Sequence, residues 1–474
     1  MTFRKFDKKN IKNNFVLNSL KGEKMSENKV PKIVVTPPGP KAKELLARDE
    51  RYISPSYVRW YPLVVEEGKG CIVRDVDGNE YIDFNSGLAV MNVGHCHPKV
   101  LEAIRNQSEK LLHYSNTDFY YRPVIDLAER LTEITPGTFE KKVYFGNSGA
   151  ESIEAAIKMV RWHTRRPRIL AFIGAFHGRT YGAMSLTSSK PVQRKYFFPL
   201  VPGVTHVPYP YCYRCPFKLE FPDCDYWCID FIDEWVFHKY IPPEEVGAII
   251  IEPIQGEGGY IVPPPEYHQK LKKLAEKYGI LYVDDEVQAG MGRTGRWFAI
   301  EHWNIEPDVI CIAKGIASGL PLGATVAKAE VMDWEGGSHA STFGGNPVSC
   351  AAGLAVIDII KEENLLENAE TLGNYIIDRF KEMQEKYEMI GDIRGKGLMI
   401  GVELVKDRKT KEPAKKEAQE VMLRSWKRGI ALITAGISTI RIAPPLIITE
   451  ELVDIALEII EKSIAEVEKE YLKK

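Results

Sequence analysis

Apolar positions along this chain follow two rhythms. Between about residues 96 and 346, short unbroken apolar runs alternate with stretches that repeat every three to four residues. "KKVYFGNSGAESIEAAIKMVRW" reads as strand, turn and helix, and "RILAFIGAFHGRT" and "VGAIIIEPIQGEGG" as strands that run into loops. "KLKKLAEKYGILYVDDEVQAG" reads as helix, strand and loop, and "DVICIAKG" as one more strand. Unbroken apolar strands separated by helices predict a mostly parallel sheet covered on both faces, an α/β architecture. From about Pro347 the rhythm changes to long helical repeats over 347–361, 366–386, 415–427 and 450–473. The short strand-like pieces "GLMIGVEL" and "STIRIAPPL" lie between them, which predicts a smaller α+β domain. "CIVRDVDGNEYIDF" alternates around Asp77-Gly78, a hairpin signature. The expected organisation is a flexible leader over 1–30, with Met25 as an alternative start, and a segment over 31–95 that packs with the small domain. A large domain over 96–346 and the small domain over 347–474 complete it.

Composition narrows the class. Of the 474 residues, 44% are hydrophobic and 27% charged, as in ordinary globular enzymes, and the net charge of −2 gives no reason to expect nucleic acid or an acidic membrane as a partner. No apolar run is long enough to span a bilayer, and the N-terminus lacks a secretory pattern, so a cytoplasmic location is expected. Lys and Glu dominate the charged residues and Gln is scarce, a leaning of heat-adapted proteins.

The chemistry gathers at the predicted strand ends, where open parallel sheets bind ligands. Glu252 and Glu257, then Asp284, Asp285 and Glu286, then Lys314, then Phe176, His177 and Arg179 each follow an apolar run. Ser148 and Glu151 fit a capping box, and Gly149-Ala150 leave backbone amides bare at a helix start, a site for phosphate. Lys314 ends a core strand among small residues. Burial disfavours its charged form, and a neutral amine can form a Schiff base with an aldehyde. An aspartate on a pyridine nitrogen and a phosphate cup complete what pyridoxal 5′-phosphate needs. Asp284 is expected on the back of its strand, His177 in packing, and Arg441 in a structural role.

Four of the eight cysteines, Cys212, Cys215, Cys224 and Cys228, cluster in an insertion over 210–230. The C-x2-C and C-x3-C pairs leave zinc, an iron–sulfur cluster, two disulfides or packed free thiols open; no metal is assigned from the sequence.

From Tyr52 to Glu468 the chain resembles the class III aminotransferase family of fold-type I pyridoxal-phosphate enzymes. The motifs that carry this are "FNSGLAVMNVGHCHP", "GNSGAESIEAAIK", "FHGRT", "IIIEPIQGEGG", "DDEVQAGMGRTG", "IAKGIASGLPLGA", "STFGGNP", "IRGKGLMIGVEL" and "IRIAPPL". The resemblance implies Lys314 as the Schiff-base lysine, Asp285 at the pyridine nitrogen and Gln288 near the ring hydroxyl. It implies Ser148, Gly149 and Ala150 at the phosphate, Phe176 on the ring face and Glu252 beside the cofactor. Thr342 is implied to reach the phosphate of a neighbouring subunit in a homodimer with shared active sites, which could assemble further. Arg394 is implied to take the substrate α-carboxylate, with Glu257 as its partner; Glu257 is also, beside His177 and an ordered water, a candidate for a second catalytic proton-transferring group. Arg179 is implied for a distal carboxylate in some members, and Leu88, with Tyr57, Trp60 and Tyr61, falls near the expected substrate entrance.

In whole-chain character, "YCYRCPF" included, the sequence resembles a group from heat-loving archaea. Its members are often described as 4-aminobutyrate aminotransferases, yet some racemise amino acids. The preferred expectation is therefore racemisation of small neutral amino acids, alanine or serine in type. The alternative is transamination from 4-aminobutyrate, ornithine or another amine to 2-oxoglutarate or pyruvate. A remote alternative is a non-catalytic or metal-binding assembly protein.

Overall fold

A computed structural model of the chain describes residues 30–471. The leader expected over 1–30 lies outside this range apart from its last residue. The N-terminal segment forms β1 (Val65–Lys69), β2 (Ile72–Asp75) and β3 (Glu80–Asp83). β2 and β3 pair antiparallel across the turn at Gly78, whose φ of +92° suits glycine. The turn is held by Asp75 Oδ1, which accepts from the amides of Asp77 and Asn79.

The large sheet is built from β4 (Lys141–Gly146), β5 (Arg168–Phe172), β6 (Val204–Val207), β7 (Val246–Ile251), β8 (Leu281–Asp285), β9 (Val309–Ile312) and β10 (Gly323–Lys328). Their order is β4-β10-β9-β8-β7-β5-β6, and only β10 runs against its neighbours. The unbroken apolar runs arise because both faces are covered. Ile169, Ala171, Ala248, Ile250, Val283, Val309 and Cys311 pack with Ile153, Ala156 and Val160 of the helix Gly149–Thr164. The alternate residues Leu170, Phe172, Ile249, Ile251, Tyr282, Ile310 and Ile312 belong to the main core on the other face.

The C-terminal segment holds β11 (Ile390–Lys396), β12 (Met399–Asp407), β13 (Glu412–Pro413), β14 (Ile430–Ala431), β15 (Ile433–Ala435) and β16 (Thr439–Ile442). β11-β12-β16-β15 form an antiparallel sheet, with β13 beside β12. β14 leaves that sheet and lies parallel to β3, so the first and last segments share one sheet. The helices Pro347–Glu362, Leu365–Lys386, Lys415–Lys427 and Glu450–Tyr471 follow the sequence periodicity closely. Among the described residues no helix is long and apolar enough to cross a membrane.

Candidate active site

β5, β7, β8 and β9 lie side by side and parallel, so their carboxyl ends deliver side chains to one rim. Lys314 follows β9 by two residues and sits at φ +47°, in the left-handed region. Non-glycine residues held there commonly mark functional sites, because the surrounding structure must impose the conformation. Lys314 is half-buried. Burial pushes its amine below the usual range, and the carboxylates of Asp285 and Glu252 oppose that shift only in part.

Asp285 closes β8. Its Oδ2 accepts from His177 Nδ1 at 2.6 Å and its Oδ1 from the Val287 amide at 3.0 Å. His177 is thus the orienting partner of Asp285, a correction to its expected packing role. Burial disfavours the imidazolium, but the hydrogen bond and charge of Asp285 outweigh this and raise the His177 pKa. Glu252, one residue past β7, accepts from the amides of Phe176 (2.9 Å) and Gly256 (2.8 Å). Burial lifts its carboxyl to about 7; His177 opposes the rise and Asp285 adds to it. Asp284 falls on the opposite side of β8 from Asp285, beside Glu286, as strand alternation requires. Burial holds Glu286 at about 8 and Asp284 well above its usual range, so this buried pair keeps a proton at neutral pH.

The helix Gly149–Thr164 starts at the end of β4. Ser148 caps it, its Oγ accepting from the Glu151 amide at 3.2 Å. The return half of the capping box differs from the expected one: the Glu151 carboxylate binds the amide of Asn147 rather than that of Ser148. The first amides of the helix, at Gly149 and Ala150, have no intrahelical acceptor. Space is tight here. A Cβ at Gly149 would stand 2.6 Å from Val287, and one at Gly323 would stand 2.3 Å from the Ser148 carbonyl. An amine, an oriented carboxylate and a helix N-terminus therefore meet at one sheet edge, the set a phosphorylated pyridine aldehyde requires.

The far wall comes from the small sheet, and here the expected pairing is corrected. Glu257 pairs with Arg441 (2.7 Å) and Lys190 (2.5 Å), not with Arg394. Burial works against the charged form of Glu257, but Arg441 and Lys190 outweigh it and hold the carboxyl below its usual range. Arg394 and Arg441 flank Gly401 in one row of the sheet, Arg394 opposite it on β11 and Arg441 opposite it on β16. Directly paired residues share a face, so both arginines project the same way. Arg394 is consumed by protein: Glu403 (2.8 Å), Asp392 (2.5 Å) and the carbonyls of Gly259 and Tyr260. Arg441 is 2% exposed, stacks over Tyr260, and its buried Nε has no partner.

The remaining expected residues lie around this group. Gln288 Oε1 accepts from the Tyr260 hydroxyl at 3.0 Å. Phe176 is half-buried with the exposed Arg179 guanidinium over its ring at 5.6 Å. Thr342 is exposed, and its neighbour Ser341 accepts from Asn147 beside the phosphate cup. Leu88 is 45% exposed on a turn, Ser86–Ala89, whose four residues all have positive φ. Tyr61 is not at an entrance: it stacks on Trp426 in the core at 5.0 Å. Trp60 and Lys190, with Tyr211, Arg214, Gln255 and Glu403, line a cleft of about 600 Å³ on the Glu257 side. Lys190 had no signal in the sequence beyond being a lone lysine. Arg441 had one, since it lies in "IRIAPPL" beside an otherwise apolar strand.

The chain is similar to known proteins over most of its length. The alanine/serine racemase of Pyrococcus horikoshii is 45% identical over 92% of this chain and 92% of its own. The leucine/methionine racemase of Thermococcus litoralis is 44% identical over 90% of this chain and 96% of its own. The probable 4-aminobutyrate aminotransferase of Bacillus subtilis is 40% identical, covering 83% and 91% respectively. The crystal structure of an (S)-enantioselective omega-transaminase from Thermomicrobium roseum superposes with a TM-score of 0.83 at 34% identity, over 90% of this chain and 99% of the other. The description "Aminotransferase class-III" matches residues 52–464. The chain belongs to the class III aminotransferase family and has its fold-type I architecture.

Proposed function

We propose that the protein is a pyridoxal-phosphate enzyme that racemises small neutral amino acids, alanine or serine in type. The observation that carries the chemistry is Lys314: a half-buried amine with a lowered pKa, on the same rim as Asp285 and its orienting His177. The preference for racemisation rests on the likeness to amino-acid racemases at 44–45% identity over nine-tenths of the chain.

Pyridoxal phosphate, when bound, supplies an aldehyde for the amine and a ring that accepts the electron pair left at the α-carbon. Lys314 would hold the aldehyde, and its free Nζ would be the group that takes the α-proton. Asp285, fixed by His177 and the Val287 amide, keeps a proton at the pyridine nitrogen. Ser148, Gly149 and Ala150 hold the phosphate, and Thr342 serves the same group across a homodimer. Arg441, with its unpartnered Nε, takes the substrate α-carboxylate in place of Arg394. Glu257, ionised between Arg441 and Lys190, is assigned as the base on the opposite face, taking the α-proton of one enantiomer and, once so protonated, returning it in the reverse direction.

A second reading, transamination, is favoured by Arg179. Its exposed guanidinium has no carboxylate partner among the described residues and could take a distal carboxylate of a larger donor. One experiment separates the two. Pure L-alanine or L-serine is incubated with holoenzyme and no keto acid, and the products are resolved on a chiral phase. Racemisation yields the D-isomer up to an equal mixture. No D-isomer, together with steady turnover of 4-aminobutyrate and 2-oxoglutarate, would establish the aminotransferase instead.

A further inference from the structure

The insertion over 210–230 follows β6, the edge strand of the large sheet, and its first turn, Cys212–Arg214, reaches across to the small sheet. Its four cysteines are free thiols, so what fastens it there is not covalent. Tyr211 and Arg214 make the contact. The Tyr211 hydroxyl donates to Oε2 of Glu403 on β12, and Arg214 Nε donates to Oε1. Arg214 Nη1 also donates to the Lys411 carbonyl at 2.5 Å, in the turn after β12. Lys411 Nζ donates in return to the Tyr213 carbonyl at 3.1 Å. Glu403 is 2% exposed, so its carboxylate depends on protein groups rather than water.

The register of the small sheet shows what else can meet that carboxylate. Glu403 stands opposite Asp392 on β11 and Thr439 on β16. Arg394 and Arg441 lie two residues along from those positions, one on each side of β12 and on the same face. They are mirror-image diagonal neighbours of Glu403, a relation of about 7–8 Å that long side chains can span. Arg394 spans it and binds Glu403 at 2.8 Å. Arg441 does not, and pairs with Glu257 on the catalytic side instead. The two oxygens of Glu403 explain the difference. Oε2 is met twice, by Tyr211 and Arg394, whereas among the described residues Oε1 is met by Arg214 alone. Loss of Arg394 leaves each oxygen with a partner. Loss of Arg214 leaves a buried carboxylate oxygen bare, an unfavourable state, and Arg441 is the diagonal cation placed to fill it.

We propose that Arg214 is a positioning residue: it satisfies Glu403, so that Arg441 stays turned toward the substrate α-carboxylate. The inference rests on Arg441 as the carboxylate-binding group. The insertion thereby acts on substrate affinity from outside the catalytic rim, through one buried carboxylate that touches neither substrate nor cofactor.

The test compares two ligands of the holoenzyme, L-alanine and ethylamine, the same amine without the carboxylate. Each is titrated against the visible absorbance of the bound cofactor. In Arg214→Ala, L-alanine should bind about tenfold more weakly, within the coupling seen inside one charge network, while ethylamine binds as in the wild type. Arg214→Lys should recover most of the loss. The double variant Arg214→Ala/Glu403→Gln should recover it too, because a neutral side chain at 403 no longer draws Arg441. Tyr211→Phe should keep the wild-type preference, since Arg394 still meets Oε2. A merely structural role for Arg214 would lower the thermal midpoint and leave the preference for L-alanine over ethylamine untouched. That outcome, equal weakening of both ligands, or a double variant that recovers nothing would overturn the proposal. If Arg441→Ala keeps the preference for L-alanine, the carboxylate assignment falls and the proposal with it. If Arg441→Ala loses the preference and Arg214→Ala keeps it, the proposal alone falls. Should Arg214→Ala fail to fold, Arg214→Gln carries the same comparison.

Discussion

Lys314, Asp285 and Glu252 each stand at, or within two residues of, the end of an apolar strand in one sheet, whereas Arg441, Glu257 and Lys190 come from three segments that share no element. The first group forms the floor of the site and the second its far wall. Floor residues are placed by parallel neighbours whose ends must coincide. Wall residues are placed by competition among charges. Arg394 and Arg441 start as equals in one row of the small sheet, and Glu403 and Asp392 capture the first. The comparison shows that position in a fold sets where a group can reach, while its neighbours set whether it is free to act.

Four single substitutions and one double variant probe this contrast. The largest effect is expected on the floor. Lys314→Ala should lower turnover by about 10³-fold, the order expected when the proton-transferring group is removed, and abolish the visible band of lysine-bound cofactor. Persistence of that band would refute the assignment. On the wall, Arg441→Ala should reduce kcat/KM by about 10–100-fold, mainly through KM, since a hydrogen bond to a charged group contributes about 1.5–3 kcal/mol. Arg394→Ala should instead lower the thermal midpoint, because it leaves Glu403 with fewer partners. Equal KM effects from the two arginines would remove the distinction between them.

A smaller change is expected at His177→Gln. Losing an orienting partner costs about tenfold in activity at the low end of the usual range, with the cofactor still bound. A variant with unchanged kcat and an unchanged pH profile would return His177 to a packing role.

The smallest effect concerns the buried pair on the back of β8. A carboxyl whose folded pKa is raised contributes stability that is complete below its unfolded pKa and lost as pH climbs to the folded value. For Glu286 that window runs from about 4.3, its unfolded value, to about 8. The thermal midpoint of the wild type should therefore fall as pH rises toward 8. The double variant Asp284→Asn/Glu286→Gln should flatten the slope, and parallel slopes in melting curves would count against the shared proton.

Much of the floor was legible in the chain itself. "IIIE", "YVDDE" and "CIAK" each place a polar residue where an apolar strand stops, and an ammonium at such a stop needs a reason. The alternation of β8 likewise separates Asp285 from Asp284 without coordinates. The wall was not legible, because "IRGKG" and "IRIAPPL" present similar arginines and nothing local shows which acid claims which. The same limit hid the bond between His177 and Asp285, which are 108 residues apart. Tyr61 failed for a different reason: an aromatic near an expected entrance and one stacked on Trp426 read alike in one dimension.

The pairing of β14 with β3 has a consequence for biosynthesis. Strands β4 to β10 can assemble once residue 328 has left the ribosome, since all seven lie between 141 and 328. The first sheet must wait, because the partner of Ile82 is Ile430. At about 5–20 residues per second, the earliest-made strands stay incomplete until Ile430 has been made. The nascent protein thus emerges with its first-made edge open, and that edge, rather than the catalytic sheet, is where a chaperone or a premature neighbour would find it.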